Sequence, residues 1–236
     1  MRWTRRLAVG LGLAAPSLAL PSPTWAQRRE PVDVELALAA DGSGSIDDDE
    51  LRLQREGYAA ALAAPEVLSA IRNGTHGSLA VIYTEWGGPH SQHVIADWAL
   101  IRDEASARAF GEKLITSPCA ARGYNSISAA IDFCVNLIET NAYAGLRRVI
   151  DVSGDGPNIG GRAVEAARDD AVAKGITVNA LAIVRPGGNV PARLGQPLSD
   201  YYRDAVIGGT GAFVEVADAN RSFAEAVRRK IVTEIA

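Results

Sequence analysis

The sequence predicts an α/β chain with a mostly parallel central sheet, one antiparallel edge strand and helices on both faces. Two observations carry that reading. Beyond residue 30, strand-like and helix-like segments alternate, the pattern of a sheet whose strands are joined by helical crossovers. The first strand-like run, residues 32–40, opens with alternation (Val32, Val34 and Leu36 against Asp33 and Glu35) and then turns continuously apolar. A strand covered on both faces reads this way.

The elements follow in order. Asp47 and Glu50 have the spacing of a capping pair and open a helix over 48–63, with Leu51, Tyr58 and Leu62 at helical intervals. Pro65 restarts a short helix that runs to Ile71, and Asn73-Gly74 ends it. Residues 78–86 and 90–101 read as two strands joined at Gly87-Gly88-Pro89, a hairpin that supplies the antiparallel edge. Helix 104–115, loop 117–124 and helix 126–140 follow; in the last, Ile127, Ala130, Ile131 and Cys134 share one face. Strand 148–153 runs into Gly154-Asp155-Gly156-Pro157-Asn158, and helix 162–174 stops at Gly175. Strand 176–184, a Gly/Pro-rich loop over 186–197, short helix 200–207, strand 212–216 and helix 222–235 complete the chain.

Residues 1–26 have the layout of a secretory signal peptide. Arg2, Arg5 and Arg6 precede an apolar stretch over 7–20 that Pro16 interrupts, and Thr24-Trp25-Ala26 presents small residues for cleavage after Ala26. The stretch is too short and broken for a stable span, and no second long apolar run follows. The expected product is therefore a single domain, 27–236, that is periplasmic or secreted and has no membrane span. Losing three arginines and no acid moves the net charge from −4 to about −7. Such an acidic balance argues against nucleic-acid binding, which needs a basic footprint. Arg228-Arg229-Lys230 reads as part of a solvated helix face. Cys119 and Cys134 are the chain's two cysteines and, in an exported protein, are expected to pair. That bridge would stabilise the fold by about 3 kcal/mol; the alternative is a buried Cys134 and a free loop thiol at Cys119.

The chemistry concentrates at Asp41-Gly42-Ser43-Gly44-Ser45, directly after the first strand. One carboxylate and two hydroxyls on a tight loop are hard oxygen donors of low total charge, which suits Mg²⁺. Gly42 and Gly44 let the loop fold so that three side chains converge. Asp and Ser beside Gly also make ordinary turns. Asp155 likewise follows a strand, and ligands of parallel sheets bind outside the strands' carboxyl ends.

Three segments together resemble a von Willebrand factor type A domain, and more narrowly an exported bacterial branch of that superfamily: Asp41 to Ser45, Gly123-Tyr124-Asn125-Ser126-Ile127, and Ile150-Asp151-Val152-Ser153-Gly154-Asp155-Gly156. The resemblance implies a Rossmann-like layering and a metal-ion-dependent adhesion site (MIDAS) holding Mg²⁺ or Mn²⁺. Asp41, Ser43 and Ser45 fill its first loop and Asp155 its third. Asn125 stands where the family has threonine; its amide oxygen can still ligate a hard cation, and Ser126 offers a neighbouring hydroxyl. The implied function is capture of a carboxylate from a protein partner. A structural domain with a vestigial site is the alternative.

Enzyme readings fit less well. A phosphatase-like reading would make Asp41 the nucleophile but wants a second acid at the position of Ser43. Gly42-x-Gly44 lacks the third glycine of a dinucleotide fingerprint, and no G-x-S-x-G elbow surrounds a serine. His90 and His93, if on one strand, point to opposite faces. Asp47 to Asp49 suit a helix start, Asp151 a structural role, and Trp86 and Trp98 packing.

Overall fold

The computed structural model describes residues 28–118, 120–184, 195–218 and 222–236. The expected leader, Cys119 and most of the 186–197 loop lie outside the described residues. Six strands, β1 (Glu30–Asp41), β2 (Leu79–Trp86), β3 (Gln92–Ile101), β4 (Tyr143–Gly154), β5 (Thr177–Ile183) and β6 (Val214–Ala217), lie side by side in the order β3-β2-β1-β4-β5-β6. Every neighbouring pair is parallel except β2 and β3, so the hairpin forms an antiparallel edge as expected. Seven helices are described: α1 (Asp48–Leu62), α2 (Pro65–Arg72), α3 (Glu104–Thr116), α4 (Ile127–Thr140), α5 (Val164–Ala173), α6 (Leu198–Tyr201) and α7 (Phe223–Ile235). A π-helical turn, Tyr202–Val206, continues α6.

The apolar run in β1 is explained by its central place. Val34, Leu36, Leu38 and Ala40 join the core under α1, α2, α3 and α7, while Ala37 and Ala39 join the core under α4, α5 and α6. Each fully buried leucine or valine contributes about 1.5–3 kcal/mol. The Asp47–Glu50 capping box is present: Glu50 N donates to Asp47 Oδ1 at 2.8 Å, and Asp47 N donates to Glu50 Oε2 at 3.1 Å.

Several expectations need correction. β4 starts at Tyr143 rather than Arg148, because its first residues pair with Glu30, Pro31 and Val32 at the start of β1. Gly145 hid that extension. Asp33 and Glu35 are buried instead of forming a polar strand face. Asp33 accepts from the backbone amides of His76 and Ser78, and Glu35 from Gly145 N and Asn141 Nδ2. Lys230 is fully buried, unlike its neighbours Arg228 and Arg229. Its Nζ lies 2.7 Å from Asp151 Oδ1 and also pairs with Glu234, which in turn accepts from Asn179 Nδ2 at 2.9 Å. Asp151 is thus the structural residue it was expected to be. His90 falls in the turn before β3, and only His93 is on the strand. Cys134 is buried, with Sγ 3.8 Å from Thr84 Oγ1, and the expected bridge involves Cys119, outside the described residues.

Candidate metal-binding rim

The chain leaves β1 toward β2 on one side and later returns to place β4 on the other. The topological switch point therefore lies between β1 and β4, where α/β sheets open a crevice at the strands' carboxyl ends. Ala40 pairs with Ser153, so Asp41 ends β1 beside the end of β4, and Asp155 follows immediately.

Three loops meet there through backbone hydrogen bonds. Gly44 N donates to Gly123 O at 2.9 Å and ties the first loop to the second. Ile159 N and Gly160 N both donate to Asn125 O, at 2.8 and 3.0 Å, and tie the third to the second. The hairpin turn braces the second loop, with Gly88 N donating to Arg122 O and Ser126 N to Gly87 O, each at 2.8 Å. Gly123 has φ +92°, the left-handed region that glycine adopts without strain.

The side chains named from sequence come together within this frame. Ser43 N donates to Asp41 Oδ1 at 2.8 Å, the Ser43 and Ser45 hydroxyls lie 3.2 Å apart, and Ser45 Oγ donates to Asp155 Oδ1 at 3.0 Å. Asn125 is buried against the third loop: a Cβ on Gly156 would fall 2.6 Å from its Nδ2. Ser126 is also buried, but its hydroxyl donates to Gly160 O at 2.9 Å, a bond that closes the loop.

The charge balance at this rim is uneven. Asp41 is fully buried, and its Oδ2 has no hydrogen-bond partner. Burial, and then the Asp155 charge, push its carboxyl up from 3.8 to about 7; hydrogen bonds from Ser43 and the Asp155 amide pull the other way. A hard divalent cation fits this set, because it would face two carboxylates and neutral hydroxyl and amide oxygens and would supply the charge that Asp41 lacks. Among the described residues, no cluster of three or more His, Cys, Asp or Glu side chains is placed to hold a metal ion, and this rim brings together two acids.

Residues invisible to sequence reasoning support the rim from below. Tyr202, from the π-helical turn, donates its hydroxyl to Gly156 O at 2.9 Å. Gln54 of α1 donates to Asp41 O at 3.3 Å, and Trp86 Nε1 to Ala39 O at 3.0 Å. Arg55 of α1 pairs with Glu85 at the end of β2 (2.7 and 3.0 Å) and also donates to Ser117 O and to Pro118 O, leading into the second loop. No local motif marks these partners, since sequence separations of 13 to 63 residues join them.

A Rossmann-like sheet with an antiparallel edge and this three-loop rim defines a von Willebrand factor type A-like domain. The chain belongs to the family described as "Protein of unknown function (DUF1194)", whose profile matches residues 31–236. Comparison with curated proteins gives no match. Among solved structures, the chain is similar to proximal thread matrix protein 1 from the mussel byssus, whose MIDAS motif is described as zinc occupied. The identity is 16%, over 88% of this chain and 48% of that one, with a TM-score of 0.58. The pilus adhesin SpaC of Lactobacillus rhamnosus GG matches at 12% identity over 88% of this chain and 31% of its own, with a TM-score of 0.57. A von Willebrand factor type A protein from Catenulispora acidiphila matches at 16% identity, over 87% of this chain and 42% of its own, with a TM-score of 0.54. The chain thus spans between about a third and a half of the length of these three proteins, and the likeness establishes the fold. Among the described residues, no helix is long and apolar enough to cross a membrane.

Proposed function

We propose that the chain is an exported, metal-dependent binding module, with 1–26 its cleaved signal peptide and 27–236 its binding domain. Its rim holds Mg²⁺ (or Mn²⁺) through Asp41, Ser43, Ser45, Asn125 and Asp155. When bound, the ion offers an open position that a carboxylate from a protein partner fills. Ser43 and Ser45 orient the two acids, and Asn125 joins the second loop to the third. The observation that carries the reading is the buried Asp41 carboxylate, with one oxygen unpartnered and a second acid beside it. Asp33, buried in the same strand, accepts from two backbone amides, and the buried Asp151 has a lysine beside it.

Calorimetric and thermal titration test the reading. A cation that binds the native state must raise its stability, by about 2.7 kcal/mol at a hundredfold excess over Kd. Absence of both heat and a rise in Tm at millimolar Mg²⁺ and Mn²⁺ would leave a structural domain with a vestigial site. Metal-dependent phosphate-ester turnover that Asp41→Asn removes would replace the binding module with a hydrolase.

A further inference from the structure

Two large apolar side chains stand in solvent at the rim. Tyr124 is 78% exposed and Ile159 57%. Tyr124 directly precedes Asn125, and Ile159 is bonded to Asn125 O through its own backbone amide. Both therefore project from backbone held by the inter-loop bonds that assemble the site. Among the described residues, the other exposed large apolar side chains (Leu53, Val94, Ile115, Leu146, Val184) lie outside the loops that carry the site side chains. Single exposed apolar residues need no explanation, but these two share the second and third loops with Asn125 and Asp155, where a ligand of the site would meet them. Arg122 is exposed on the same loop as Tyr124 and adds a basic group to this side of the rim.

We propose that Tyr124 and Ile159 select the ligand at this site: the partner presents an Asp or Glu whose neighbouring residues are apolar. Its carboxylate meets the ion, and its apolar neighbours cover Tyr124 and Ile159. The inference rests on the metal-site reading above. The physical reason is screening. A carboxylate–cation contact open to water is weak, and apolar cover that excludes water strengthens it. Arg122 favours the same acidic segment by charge.

The test uses two synthetic probes, acetyl-Gly-Glu-Gly-amide and acetyl-Leu-Glu-Leu-amide, titrated into the protein with saturating Mn²⁺. The apolar-flanked peptide is expected to bind at least about tenfold more tightly. Tyr124→Ala and Ile159→Ala should each remove much of that preference, while Tyr124→Phe retains it and all three variants keep the Mn²⁺ affinity. Equal binding of the two peptides, or a preference that survives both alanine variants, overturns the inference alone; binding of neither to the Mn²⁺-loaded protein overturns carboxylate capture and the inference together. Absence of Mn²⁺ binding by the unsubstituted protein overturns the metal-site reading and this inference with it.

Discussion

Asp41→Asn separates a carboxylate kept for a ligand from one kept for the fold. The substitution is nearly isosteric, and an asparagine Oδ1 can still accept from Ser43 N. What it removes is a buried negative charge whose Oδ2 has no donor and whose neighbour is Asp155. Holding a carboxyl at about 7 rather than 3.8 costs its ionised form roughly 4 kcal/mol at pH 8, an upper bound. The metal-free variant should therefore be more stable than the parent by about 1–3 kcal/mol, which at this chain length raises Tm by roughly 2–12 °C.

The assay is thermal unfolding at pH 8, with EDTA and then with 5 mM Mg²⁺ (about a concentration at which a weak site fills). The parent should gain stability from Mg²⁺; the variant should begin higher and gain nothing. A lower Tm for Asp41→Asn in EDTA would mean that the charge already has a structural partner. An undiminished Mg²⁺ response would mean that Asp41 does not hold the ion.

Asp155→Ala should weaken Mg²⁺ binding at least about tenfold in calorimetry while far-ultraviolet circular dichroism stays unchanged, since the half-exposed side chain contributes little to the core. Metal-free stability should fall as pH rises between about 4 and 7, as measured by urea unfolding. Asp41 and Asp151 are both raised above 3.8, chiefly by burial and then by Asp155 and Glu234 respectively, so the folded state holds more protons than the unfolded chain in that window. Stability that rises with pH there would contradict both assignments. Lys230→Met should destabilise by about 3–5 kcal/mol, read as a lower urea midpoint, because it leaves Asp151 and Glu234 buried without their cation. Cys134, with its thiol pushed up to about 12 by burial, should resist iodoacetamide in the native state and take one label on unfolding without reductant. A label that appears only after reduction would show the bridge to Cys119.

Much of the sheet was legible because central parallel strands carry their own signal. The run through Ala40 needs two apolar covers, and the chain order of strands and helices leaves few ways to supply them. The first and third loops were legible for the same reason: each acid sits where a recognised strand ends. The buried polar network was not. Asp33 and Glu35 mimic the outward face of an alternating strand, yet each accepts from backbone amides distant in sequence, Asp33 from a loop and Glu35 from Gly145 at the start of β4. Lys230 mimics a surface residue beside two arginines, and only the arrival of Asp151 from β4 makes its burial tolerable.

That contrast also bears on function. Asp33, Glu35, Glu85 and Asp151 are all buried acids, and each meets backbone amides, an arginine or a lysine. The fold therefore supplies amides or a cation to the buried carboxylates at each of these four positions. Asp151 Oδ1 and Glu234 Oε2 also lack a hydrogen bond but face the Lys230 ammonium, whereas the Asp41 Oδ2 at the switch point of the sheet has a second acid, Asp155, beside it. Local misfit of this kind is expected where a side chain is arranged for something that arrives from outside. Gly154 sharpens the point. A Cβ there would sit 3.1 Å from Asp41 Oδ2 and 2.8 Å from the Tyr202 hydroxyl. Gly154→Ala would crowd the space beside that oxygen and, on the proposed reading, lower Mg²⁺ affinity more than the small residue's contribution to the core would explain.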